Sequence, residues 1–250
     1  MSESSNAFAD FFRELERQHG INLSVFYDSF DAALFMDGVY HTLFLSVASI
    51  ICSILIGALG AFLLFLGERR TKLLVNSYVT VFRNTPPLVQ LYFFYFALGP
   101  YVSNLLNAES PVIGNIGWAV ISLTLYAGAF NVEIFRSGIE AVPRTTLEAA
   151  DALGMNRSQQ FLFVAAPLAW RIGLPALNNN LVNLIKTTTN AYAIAVPEVL
   201  YAASQIWSEH LNTFEMMCLL LAFYTLIIGI FISLMNRWER ATRVPGWGQT

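Results

Sequence analysis

Five polar residues stand out in a chain otherwise built largely of hydrocarbon side chains: Asn179, Asn183, Lys186, Thr187 and Asn190. Their spacing sets them on one stripe of a helix. Amide, hydroxyl and ammonium groups break no bonds in such a pattern; they donate and accept hydrogen bonds. In hydrocarbon they are costly, and they face a partner or a water-filled path. Three readings are open. The stripe is interhelical glue, at roughly 0.6–2 kcal/mol per residue. Lys186 snorkels to an interface. Or the stripe lines a translocation path. These do not exclude one another. Glu133 and Arg136 stand three apart on one helix face and are a candidate ion pair. It reads first as an anchor at a helix end, and second as a contact to solute.

Other chemistry finds no foothold. There is no Gly-Lys dipeptide, so no phosphate-binding loop of the usual kind is expected. H-E-x-x-H and G-x-S-x-G are absent as well. The 3 histidines are scattered, and no metal site is expected. Cys52 and Cys218 both fall in apolar runs, where they read as small buried hydrophobes and not as a disulfide. A net charge of −3 gives no case for nucleic acid.

The elements that must position these residues are membrane helices. Of the 250 residues, 56% are hydrophobic and 12% charged, and mean hydropathy is +0.53. Soluble domains carry about 25% charged residues. Five segments are apolar enough for spans of about 20 residues: 39–66, 73–102, 112–135, 173–196 and 214–235. The second is too long for one straight crossing, and a break is expected near Arg83-Asn84-Thr85-Pro86. Lys and Arg set the orientation. Arg69, Arg70 and Lys72 follow the first span. Arg136, Arg144, Arg157 and Arg171 lie between the third and fourth, and Arg237, Arg240 and Arg243 follow the fifth. The intervening loops have neither residue type. This predicts an outside N-terminus and a cytoplasmic C-terminus.

The N-terminal arm lacks the basic-then-apolar order of a cleavable signal. Its Phe8, Phe11, Phe12 and Leu15 recur at helical spacing opposite Asp10, Glu14 and Arg17, as in an interfacial amphipathic helix. Ser53, Gly57 and Ala61 form a small-residue stripe that permits close helix packing. Trp118, Trp207 and Trp238 are placed as interface anchors. No internal repeat is evident.

The third loop carries Glu148–Gln160, EAADALGMNRSQQ. Thr145 and Glu148 have capping-box spacing, and Gly154 sits where a left-handed cap is expected. Leu147, Ala150 and Leu153 share a face. A second short helix is expected from about Ser158, stopped at Pro167. Ala149, Ala150 and Ala152 let another surface approach closely. From the residues alone, that surface is either a partner or the protein's own cytoplasmic helix ends.

Glu148-Ala149-Ala150, three residues, Gly154, nine residues and Val164-Ala165-Ala166-Pro167 resemble the EAA loop of permeases of ABC importers. The one departure is Ala166, where leucine is usual; it loosens packing under the loop but leaves Pro167. Further stretches resemble the polar-amino-acid branch of that family: Phe82-Arg83-Asn84-Thr85-Pro86-Pro87-Leu88-Val89-Gln90-Leu91, Glu133-Ile134-Phe135-Arg136-Ser137-Gly138-Ile139 and Leu184-Ile185-Lys186-Thr187-Thr188. The resemblance covers about residues 39–243.

The resemblance implies an all-α integral membrane protein of the methionine-permease-like fold. The divisions are an arm over 1–38, a transmembrane domain over 39–243 with a coupling loop at 143–167, and a tail over 244–250. It implies a bacterial inner-membrane location, and no catalytic residue or cofactor in this chain, since Mg-ATP is held by a separate ATPase dimer. The further implied partners are a second permease chain, identical or paralogous, a periplasmic amino-acid-binding protein, the amino acid and membrane lipid. Arg144, Thr145, Glu148, Ala149, Ala150, Leu153, Gly154 and Met155 would meet the ATPase. Gln90, Asn179, Asn183, Lys186, Thr187 and Asn190 would line the path, meeting the zwitterionic head of the solute. The family carries a lysine at the position of Lys186 across different substrates, whereas Asn190 replaces its usual leucine. The rival classes are an autonomous secondary transporter coupled through Lys186, Glu133 or Arg136, and a membrane enzyme or scaffold subunit.

Overall fold

A computed structural model describes residues 3–242. Arg243 and the predicted tail 244–250 lie outside the described residues, within which every regular element is helical. Four helical stretches are long and apolar enough to cross a membrane: Ser29–Leu66, Asn115–Glu140, Arg157–Ile194 and Thr213–Ala241. The chain is therefore an all-helical membrane protein with about four candidate spans.

The elements follow from local sequence. Helix α1 (Glu3–His19) is the expected amphipathic arm. Phe12 packs on Phe26 with ring centroids 4.6 Å apart, while Phe8 and Phe11 remain exposed. Tyr27 ties the arm down through a hydroxyl donated to Glu16 at 2.7 Å. Helix α2 (Ser29–Leu66) begins ten residues before the expected 39, because Asp28 caps it by accepting from the amides of Phe30 and Asp31 at 2.8 and 3.1 Å. Asp31 and Asp37 hide this extension from a reading by hydropathy. Gly67, at φ +84, ends the helix.

The expected break in the second segment is present. Helix α3 (Arg69–Arg83) stops, and α4 (Pro87–Tyr92) starts at the second of two prolines, with Pro86 at its cap position. Pro86 cannot donate to Phe82 O, so that carbonyl needs another partner, and side chains also bond the carbonyls just before it. Asn84 Nδ2 donates to Thr80 O at 2.7 Å, Thr85 Oγ1 to Val81 O at 2.8 Å and Gln90 Nε2 to Phe82 O at 2.8 Å. A π-helical stretch, Phe93–Leu98, leads into α5 (Gly99–Leu105).

Helix α6 (Asn115–Glu140) is the central post, packed by α2, α3 and α9 (Ala166–Thr187). The small-residue stripe of α2 lies against it: Ser53 and Ala61 are buried, and a Cβ built on Gly57 would stand 2.5 Å from Cβ of Asn131. Between the loop helices α7 (Arg144–Ala152) and α8 (Arg157–Gln160) and the final α11 (Thr213–Thr242) lies α10 (Val199–His210). Glu198 caps α10 from a fully buried position, accepting from Leu200 N at 3.0 Å and Tyr201 N at 2.9 Å. Burial pushes its carboxyl up to about 7.

Three expectations need correction. Cys52 and Cys218 are free but exposed, because each lies on the outward face of its helix. Trp118 is no interface anchor: it is 5% exposed and stacks on Phe94 at 6.2 Å. The fourth long helix does not start near 173. It runs from Arg157, with a π-helical stretch at Phe161–Ala165, so Pro167 is the first-turn proline of α9 and not a stop. Because helix precedes it, the missing amide of Pro167 has to be accommodated, and the π-helical stretch directly before it is where the ladder adjusts.

Gly57→Val should lower the unfolding temperature of the detergent-solubilised protein, at an overpacking cost of about 1–3 kcal/mol. Gly229→Val, where an added Cβ meets nothing within 4 Å, should leave it nearly unchanged. Equal effects of the two variants in a thermal-unfolding assay would contradict the packing described.

Candidate coupling loop and polar helix face

The loop between α6 and α9 is a built object. Pro143, extended at ψ 135°, fixes the entry, and α7 begins directly after it. Thr145 is therefore already inside the first turn. The expected capping box with Glu148 does not form, since Pro143 holds the cap position without a side-chain bond. Asn156 and Gln159 make a capping box instead, at the start of α8: each side chain bonds the other's backbone amide at 2.9 Å.

Between the two helices the chain turns sharply. Gly154 lies at φ +78, Gly154 N donates to Asp151 O at 2.9 Å, and Met155 N reaches back to Ala150 O at 3.2 Å. These are the paired bonds of a Schellman cap. No atom lies within 4 Å of a Cβ built on Gly154, so its constraint is purely conformational. Gln160, 3% exposed, locks the turn from below. Its amide donates to Asp151 Oδ1 at 3.0 Å and to Met155 O at 2.9 Å. Phe161 then packs on Phe62 and Phe65 at 4.9 and 5.5 Å, seating the loop on the end of α2.

Arg144, Thr145, Glu148, Ala149, Leu153 and Gly154 are brought to one exposed surface. Leu153 is 78% exposed, because the cap turns the chain away before it can join Leu147 and Ala150. Ala150, at 4%, faces inward, and Met155 is half-buried.

The polar stripe is brought together as well, on the outward side of the fourth long helix. Asn179, Asn183 and Lys186 are exposed; Thr187 and Asn190 are half-buried. Thr187 Oγ1 donates to Asn183 O at 2.7 Å within the helix. The glue is made by another residue, on an adjoining side of α9. Asn180 Nδ2 donates to Asn131 Oδ1 at 2.8 Å and to Ala127 O at 3.2 Å, and Asn131 Nδ2 donates to Ser53 Oγ at 3.1 Å. This relay crosses α9, α6 and α2. A signal existed: Asn131 is a lone amide in an apolar span, and Asn180 lies one position off the stripe, about 100° round the helix from Asn179.

Gln90 is carried by another helix, α4, and is buried. Its amide nitrogen is used on the carbonyls of Phe82 and Thr85 and on Thr85 Oγ1, which makes it a clamp on the proline break. The pair expected between Glu133 and Arg136 forms, with Arg136 Nε donating to Glu133 Oε2 at 3.1 Å. Arg136 also bonds Glu140 at 3.0 Å, and Arg83 approaches Glu133 at 3.8 Å while lying over the Phe130 ring. The cluster ties the end of α3 to α6, which is the anchoring reading.

Comparison with known proteins agrees with this architecture. Residues 33–243 match the family described as binding-protein-dependent transport system inner membrane component. The chain is 31% identical over 214 residues to a probable glutamine ABC transporter permease protein of Bacillus subtilis, covering 86% of this chain and 94% of that one. It is 32% identical over 213 residues to a histidine/lysine/arginine/ornithine transport system permease protein of Salmonella typhimurium, covering 81% and 87%. Among solved structures it is similar to a chain of an amino acid ABC transporter crystallised with histidines, with TM-score 0.72, 28% identity and coverage of 84% and 94%. It also shares a fold with the MetNI methionine ABC transporter, with TM-score 0.69, 20% identity and coverage of 85% and 98%. Matched across its long helices, its proline break and its loop alike, this chain belongs to the family of binding-protein-dependent transport system inner membrane components.

Proposed function

We propose that this chain is the permease subunit of an ATP-driven importer of polar or charged L-amino acids. The observation that carries the proposal is the exposed α7 surface, held by a Schellman cap and seated on the long helix α2. A floppy linker transmits no force. A capped helix fixed to a span of 38 residues, about 57 Å long, moves with the bundle.

In this reading α3 to α5 form a fifth, broken crossing. The N-terminus lies outside, and the α7–α8 loop lies in the cytoplasm with the basic loops. Arg144, Thr145, Glu148, Ala149, Leu153 and Gly154 dock into a partner ATPase dimer, with Ala150 and Met155 supporting them from behind. ATP is bound and hydrolysed by that partner. Closure of the ATPase dimer draws this loop toward the loop of a second permease chain and rocks both bundles. An extracytoplasmic binding protein delivers the amino acid above.

The outward polar face of the fourth long helix fits a path shared with the second chain. Left against lipid, Lys186 and two asparagines would be expensive. The relay of Asn180, Asn131 and Ser53 involves none of the stripe's side chains, which leaves this face available to solute. Its ammonium, amides and hydroxyl suit a zwitterion, with the carboxylate met by Lys186 and amide N–H groups and the ammonium by amide oxygens.

Two experiments separate these roles. Gly154→Val forces a β-branched residue to positive φ, at a cost of about 1–3 kcal/mol. It should uncouple the transporter, with the assembled complex retaining basal ATPase but losing binding-protein-stimulated ATPase and uptake. Unchanged stimulation in proteoliposomes would remove α7 from the coupling path. Asn183→Leu should reduce uptake with little change in unfolding temperature, whereas Asn131→Leu should destabilise the chain by about 1–3 kcal/mol through its orphaned partners. A thermal loss in Asn183→Leu as large as that in Asn131→Leu would reassign the stripe to packing.

A further inference from the structure

At the end of α2 remote from the coupling loop, the fold assembles three donors that lie far apart in sequence. Asp31 stands in the first turn of α2 and is only 2% exposed. Capping of that helix is already done by Asp28, so the Asp31 carboxylate is surplus to it. Its Oδ2 lies 2.9 Å from Nε2 of His210, the last residue of α10, yet receives no aligned hydrogen bond. Glu209, next to His210, brings a second carboxylate. One donor atom from each of the three residues lies within 4.8 Å of the others.

Buried charged oxygens almost always have aligned donors, and an exception asks for a reason. Here the imidazole nitrogen is close but badly aimed for donation. Two donor atoms both directed at a third body take that arrangement. Ligands 2.0–2.2 Å from a tetrahedral zinc ion stand roughly 3.3–3.6 Å apart, so Asp31 and His210, at 2.9 Å, need to part by only a few tenths of an ångström to admit one. The frame is preformed. Leu211, at φ +55, turns the chain directly after His210, and Asn212 Nδ2 holds the turn by donating to Asn22 O at 3.0 Å. The same two helices share a buried cluster of Phe35, Val199, Ala203 and Ile206, so the site does not depend on a mobile loop.

We propose that Asp31, Glu209 and His210 form a binding site for a divalent cation of the zinc class, clasping the first turn of α2 to the last turn of α10. One imidazole with two carboxylates suits Zn²⁺ and its first-row neighbours, and water completes the shell. Mg²⁺ and Ca²⁺, which take oxygen ligands, are poorly served. The inference does not depend on which solute is carried.

The test is zinc binding and thermal unfolding of the assembled transporter in lipid nanodiscs, with and without chelator. Wild type should bind about one ion per copy of this chain with a raised unfolding temperature. His210→Gln and Glu209→Gln, both at exposed positions, should fold normally and weaken binding about tenfold or more. His19→Gln and His41→Gln should leave binding unchanged. Asp31→Asn should abolish it, but the two exposed variants decide the matter even where this buried change prevents folding. Wild type without zinc binding, His210→Gln with undiminished binding, or an equal thermal shift from MgCl₂ would overturn the site.

Discussion

The close approach of α2 to α6 is the constraint on which the rest depends. Gly57 brings the backbones near enough that an added Cβ would stand 2.5 Å from Asn131. At that distance Asn131 can donate to Ser53 on one side and accept from Asn180 on the other, joining three helices through one fully buried amide. In hydrocarbon there is no gain from hiding apolar surface, so helices associate through close packing and hydrogen bonds. Small residues on α2 supply the first, and the relay supplies the second. With α9 held this way by Asn180, the outward stripe beside it takes no part in the relay and can present amides and an ammonium.

The same helix carries the consequence to the other end of the molecule. Phe62 and Phe65, in the last turns of α2, receive Phe161 and so hold the loop. The loop is stiff by local means: a glycine at positive φ, a capping box at Asn156 and a buried glutamine beneath. Stiffness at both joints makes a lever of what would otherwise be a tether. In the proposed reading this loop receives the stroke of a partner ATPase.

Much of this was legible in the residues. The apolar runs marked the long helices, and the prolines after Asn84 marked the break. The small-residue stripe marked the packing face, and Gly154 marked the turn. What escaped had physical causes. A buried acid in the first turn, Asp31, breaks a hydropathy window without breaking a helix, so α2 looked ten residues too short. Pro167 reads as a terminator, but the π stretch directly before it lets the helix run on through the proline. Thr145 had the right spacing for a cap, but Pro143 had already fixed where the helix begins. Among three consecutive asparagines, periodicity alone identified the outward one, Asn179, and passed over the inward Asn180. The bonds of Gln90 to Phe82 O and Thr85 across the proline break have no signal in the sequence, because they form only once the break is folded. The meeting of Asp31 with His210 has no sequence spacing at all.

The central claim is that α7 is the surface through which a partner ATPase drives this chain. It is tested most directly by a photo-crosslinking residue placed at Leu153 in the assembled transporter. The account predicts a crosslink to a P-loop ATPase subunit whose yield changes between nucleotide-free and ATP-bound states. Crosslinks confined to this chain or to lipid, in both states, would contradict it.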